Sequence, residues 1–94
     1  MKTLGKIEVS ELWRGKGNCR HVRNGVEVTQ EVVFLHVAQL DGDIGFYLFY
    51  EGKDGNELND LSFDTLDELF RQVEHEFAPE VAELLRATCK DKSD

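Results

Sequence analysis

The sequence predicts an α+β domain: an antiparallel meander of four to five strands, followed by one or two C-terminal helices packed on one sheet face. Three observations carry this. From about residue 4 to 62, apolar residues alternate at a period of two in segments joined by glycine-bearing turns. At Asp64 the period changes, because Leu66, Leu69, Phe70, Val73 and Phe77 fall on one helical stripe. All the strands precede the helices, so the stripe must be buried on a single face of an antiparallel sheet.

The first strand lies in "LGKIEVSELW" at 4–13, where Ile7 and Val9 alternate with Lys6, Glu8 and Ser10. Leu12 shifts the phase, which places a bulge or the strand's end near Glu11. "GKGN" at 15–18 is a turn by composition, and "CRHVR" at 19–23 is the second strand. It runs into Asn24-Gly25, a dipeptide suited to a type I′ hairpin because both residues tolerate positive φ. The return strand from Val26 to Leu40 would be long against the usual ~5–6 residues, so a break is expected at "TQE", 29–31. Beyond it Val33, Leu35 and Val37 share one face, and Val32, Phe34, His36, Ala38 and Leu40 the other. Both look buried.

"DGD" at 41–43 turns the chain into an aromatic strand, Ile44 to Glu51, and "GKDGN" at 52–56 turns it back into "ELNDL". Thr65 and Glu68 form a capping-box pair at the start of a helix over about 65–77. Phe77-Ala78-Pro79 ends it, and Pro79 fits the first turn of a second helix over about 79–89, with Val81, Leu84, Leu85 and Cys89 on its apolar side. Residues 90–94 form a polar tail. At 94 residues the chain has room for one core, so 1–94 is a single domain.

Net charge is −8, unevenly divided. Residues 1–40 carry six basic and four acidic side chains, whereas residues 41–94 carry five and fifteen. An acidic second half repels phosphate backbones and attracts basic proteins. No apolar stretch approaches the ~18 residues of a membrane span, and the N-terminal residues lack a secretion-signal pattern, so a cytoplasmic location is expected.

No catalytic, metal or cofactor set emerges. Cys19 and Cys89 are 70 positions apart and make neither a CxxC pair nor a disulfide framework. Cys19 and His21 share a strand face, which is two of the three or four ligands zinc needs, and His21 reads as a snorkelling side chain on a polar strand. His75 is expected in solvent. "GKGN" lacks phosphate-loop spacing, and the carboxylates around Asp64 to Glu76 suit helix capping and solvation. An enzyme would need a cleft where His36 or His21 meets a carboxylate.

In the aromatic strand Ile44, Phe46, Leu48 and Tyr50 point one way and Tyr47 and Phe49 the other. "GFYLFY" is similar to the glycine-aromatic core of the RNA-recognition motif, whose aromatics stack on bases. Asp43-Ile44 stands where that motif has a basic residue, its βαββαβ order is absent, and the surrounding half is acidic. Nucleic-acid binding is therefore the alternative reading, using Tyr47 and Phe49 with Arg14, Lys16, Arg20 and Arg23.

The stretch "GFYLFYEGKDGNELNDLSFDTLDELFRQVEHEF", 33 of 94 residues, resembles the C-terminal part of a broad group of small bacterial α+β proteins. These combine a Tyr/Leu-rich strand, a DGNE-type turn and a TLEEA-like helix, and some are similar to the immunity proteins of bacterial toxin systems. Ser62-Phe63 stands where the group often has tryptophan and histidine. The resemblance implies contact with another protein, and the acidic half suits a basic one. The expected contact residues are Glu51, Asp54, Glu57, Asp60, Asp67 and Glu74, with Tyr47 and Phe49 as exposed sheet aromatics. A homodimer through one sheet face is a sub-case.

Overall fold

The computed structural model describes residues 2–10, 13, 21–28, 31–39, 42 and 45–90. Its strands are β1 (Lys2–Glu8), β2 (Val22–Arg23), β3 (Val26–Glu27), β4 (Phe34–Gln39), β5 (Phe46–Glu51) and β6 (Glu57–Phe63), followed by helices α1 (Leu66–Glu76) and α2 (Pro79–Lys90). The main sheet has the order β1-β4-β5-β6, antiparallel throughout, and β2 and β3 pair only with each other. The α+β architecture read from the sequence is present. α1 packs over β5 and β6, and α2 packs over β1.

Directly paired residues of an antiparallel sheet project from the same face. One row of such pairs joins Ile7, Leu35, Tyr50 and Asn59, and the next joins Gly5, Val37, Leu48 and Leu61. Leu35, Val37, Leu48 and Tyr50 are 0% exposed, and they form one core with Leu69, Phe70 and Val73 of α1 and Val81, Ala82, Leu85 and Cys89 of α2. Each large apolar side chain so buried stabilises by about 1.5–3 kcal/mol. Of the two candidate sets in the aromatic strand, Phe46, Leu48 and Tyr50 lie under the helices. Tyr47 and Phe49 do not.

Local chemistry accounts for the joints. Asn24 (φ 54°) and Gly25 (φ 80°) form the hairpin turn that their positive-φ tolerance predicts. In the β5–β6 turn the Gly55 N–H donates to the Gly52 carbonyl (2.9 Å) and the Gly52 N–H to that of Asn56 (2.8 Å). Gly55 takes the left-handed position at φ 80°. Thr65 caps α1, its hydroxyl accepting from the Glu68 N–H at 3.2 Å.

Three expectations are revised. β1 pairs with β4, so the β2–β3 hairpin leaves the main sheet; the Val9 N–H donates to the Val33 carbonyl (2.7 Å), continuing the β1–β4 ladder beyond both strands. The irregularity in β1 lies between Thr3 and Gly5, while Glu11, Cys19 and the tail at 91–94 lie outside the described residues. Leu84, expected on the apolar side of α2, is 54% exposed beside a groove lined by Ile7, Val9, Trp13 and Val81. The strand break expected at 29–31 falls in the interval between the end of β3 at Glu27 and the start of β4 at Phe34, and Thr29 and Gln30 lie outside the described residues.

Gly5 is where α2 comes closest to the sheet. A Cβ there would stand 2.8 Å from Cys89 Sγ and 3.2 Å from its backbone nitrogen. Burial pushes the Cys89 thiol up to about 11, so it is an uncharged packing group. Gly5→Ala should therefore destabilise the fold by ~1–3 kcal/mol through overpacking, read as a lower urea midpoint at unchanged slope.

Candidate functional site

No described element covers the other face of the sheet. Its rows follow from the same register: Thr3, Ala38, Tyr47 and Ser62; Lys6, His36, Phe49 and Asp60; Glu8, Phe34, Glu51 and Glu57. A hydrogen-bonded network crosses it. The His36 Nδ1–H donates to Glu51 Oε2 at 2.9 Å, His36 Nε2 lies 2.8 Å from Thr3 Oγ1, and Lys6 Nζ lies 2.8 Å from Glu51 Oε1. Lys6 also stands 4.7 Å above the Phe34 ring centre.

Glu51 is opposite Glu57, and like charges in directly opposed positions repel. Lys6 and His36 offset that repulsion. Burial acts to raise the Glu51 pKa, but hydrogen bonds and charge from Lys6 and His36 prevail and hold it below its ordinary 4.5. At 8% exposure Glu51 is committed to its neighbours, which corrects the expectation that it is displayed to a partner.

The aromatic part of the face is half-buried. Tyr47 and Phe49 stack with ring centres 6.1 Å apart and planes at 15°, and His36 flanks Phe49 at 5.7 Å. Asp60 is exposed and opposes Phe49 across the β5–β6 pair. The structure thus gathers Tyr47, Phe49, Glu51, Glu57 and Asp60 on one surface, with Asp54 exposed at the adjoining turn. Asp67 and Glu74 are exposed on α1, in the other layer. Asp67 is shared by Arg71 (3.0 Å) and Arg86 (3.9 Å).

A second polar cluster lies inside the protein, between α1, β5, β6 and the residue preceding β2. The Asn59 amide donates to His21 Nδ1 (2.9 Å), which leaves the ring proton on Nε2, facing Glu76 Oε2 at 3.5 Å. Gln72 donates to Glu76 Oε1 at 2.8 Å, and the His21 ring packs on Tyr50 with centres 4.2 Å apart. Burial works to raise the Glu76 pKa; hydrogen bonds from His21, Gln72 and Tyr50 outweigh it and lower the pKa from 4.5. His21 is 4% exposed and Glu76 3%. The expectation of a snorkelling His21 is corrected, because Tyr50 and Asn59 give the imidazole a polar site in the interior. The expectation that Glu76 is solvated is corrected too, and the one clue to its role is that it lies four residues after Gln72 on a helix.

Both His36 and His21 therefore meet a carboxylate. His21 and Glu76 are sealed from solvent, however, and Thr3 and His36 stand on an outer sheet face where no described element excludes water. Among the described residues no group of three or more His, Cys, Asp or Glu could hold a metal ion, and no helix is long and apolar enough to cross a membrane.

The two lowered carboxyl pKa values fix the sign of an acid response. A carboxyl with a depressed folded pKa contributes stability above its unfolded value, near 4.5, and loses it as pH falls through the folded value. Urea midpoints should therefore drop as pH falls below about 4.5. Glu51→Gln and Glu76→Gln should each flatten that drop, and the exposed Glu74→Gln should leave it unchanged. At neutral pH, His21→Leu should cost ~3 kcal/mol by stranding the Glu76 charge, with much of the loss recovered in the His21→Leu/Glu76→Leu double variant.

No family model, curated protein or solved structure matches the chain.

Proposed function

We propose that this chain is a small non-enzymatic interaction module of the cytoplasm whose open sheet face docks a basic partner protein. The observation that carries this reading is the Tyr47–Phe49 stack on a helix-free face, beside Asp60 and Glu57. An aromatic centre with a charged rim is the usual composition of a docking surface. The immunity-like reading belongs here, since a basic nuclease toxin is one partner such a face would suit.

The scale of the face says what kind of docking. Four strands at ~4.8 Å spacing and six residues at ~3.3 Å rise span roughly 14 by 20 Å, or about 300 Å². A stable complex buries about 800 Å² per partner. The contact is therefore transient and sensitive to salt, or it extends onto the turn that carries Asp54. Nucleic-acid binding is the second reading, opposed by the carboxylates that border the aromatics; Arg14, Lys16, Arg20 and the Arg23 side chain lie outside the described residues.

Retention of proteins from the native cell extract tests this, comparing the immobilised wild type with an open-face variant, Phe49→Ala/Asp60→Lys, and a control on α2, Glu83→Lys. The expected result is that basic proteins are held at low salt by wild type and control, and lost by the open-face variant and by added salt. Equal retention on all three proteins, retention that a nuclease removes, or no retention overturns the reading.

A further inference from the structure

Two cations of this chain are held in the same way. Lys6 stands over Phe34, at 4.7 Å from the ring centre, with its Nζ 2.8 Å from Glu51. Arg86 stands over Phe70, at 4.8 Å, with its Nη1 3.9 Å from Asp67. A third aromatic-carboxylate pair exists in Phe49 and Asp60, directly opposed across β5 and β6 on the open face. Among the described residues no lysine or arginine stands over Phe49 or pairs with Asp60, and the His36 ring beside Phe49 is turned to Glu51.

We infer that Phe49 and Asp60 form a subsite for an arginine side chain supplied by the partner protein. The inference rests on the docking reading and names the group that docks. The Phe49 ring is bounded by Tyr47 along its own strand and by His36 on the β4 side, so its approachable flank is the β6 side, where Asp60 stands. Opposed Cβ atoms in such a pair are about 5 Å apart, which lets one planar group touch both side chains. A guanidinium can lie along an aromatic ring while its N–H fork meets a carboxylate; an ammonium is a hydrated point charge and does this less well. The Ser62 hydroxyl, exposed on the same strand two residues from Asp60, offers a further acceptor within the same patch.

The probes are acetyl-(Gly-Arg)3-amide, its lysine counterpart and its glutamate counterpart, titrated at low salt and followed by the Phe49 ring and Asp60 amide resonances. The arginine probe should shift both saturably and bind at least ~3-fold tighter than the lysine probe, and the glutamate probe should shift neither. Asp60→Asn should weaken the arginine probe by ~5–10-fold, and Phe49→Leu by ~2–5-fold. Unchanged urea midpoints would show that both variants fold. Equal binding of arginine and lysine probes, or shifts centred away from Phe49 and Asp60, overturns the subsite. If the open-face variant still loses its captured protein in that case, the docking reading stands without the arginine site; if neither effect appears, both fall.

Discussion

Burial of Leu35, Val37, Leu48 and Tyr50 beneath the two helices is the constraint on which the remaining structure depends. These residues occupy alternate positions on the adjacent central strands β4 and β5, so covering them fixes the register of the whole sheet. A slip of one residue would put Phe49, His36 and Glu51 under the helices and their apolar neighbours in water. The two helices cover one face, and among the described residues no element covers the other. The open face is a by-product of how the core is filled.

Placing Tyr50 in that core has a second consequence. The His21 ring packs on Tyr50, and the buried Glu76 carboxylate, costly to leave without partners, faces His21 and accepts from Gln72, while Asn59 holds the imidazole. His21 immediately precedes β2. Its burial therefore anchors a hairpin of two-residue strands that contributes little apolar area itself, Val22 and Val26 being 59% and 62% exposed. The outer network of Lys6, His36 and Glu51 works differently. It neutralises a carboxylate opposite another, and it orders β1 against β4 and β5.

Much of the architecture was legible in the sequence because it rests on local periodicity. The change of period at Asp64, the Thr65 cap, the Asn24-Gly25 turn and the alternation through β5 all act over a few residues. What was not legible depends on which distant segments meet. Nothing near Ile7 announces that β1 pairs with β4 rather than with β2. His21 read as a surface residue because its partners, Asn59 and Glu76, are 38 and 55 positions away. Of the acidic candidates, Asp60 and Glu57 converge with Tyr47 and Phe49 through register, whereas Asp67 and Glu74 follow the helix into the other layer. Glu51 is hidden for a related reason: a carboxylate in a charged stretch reads as solvated until the cross-strand Lys6 and His36 are in place.

The central claim, a sheet covered on one face and open on the other, has a direct test in the two tyrosines of the chain, three residues apart on β5. Relaxation of their ring protons by a soluble gadolinium chelate compares the two faces within one spectrum. The structure requires strong enhancement at Tyr47, with Phe49 alongside it, and none beyond background at Tyr50. Equal protection of both tyrosines would mean that the second face is covered, and equal enhancement would mean that the helices do not pack where the structure puts them.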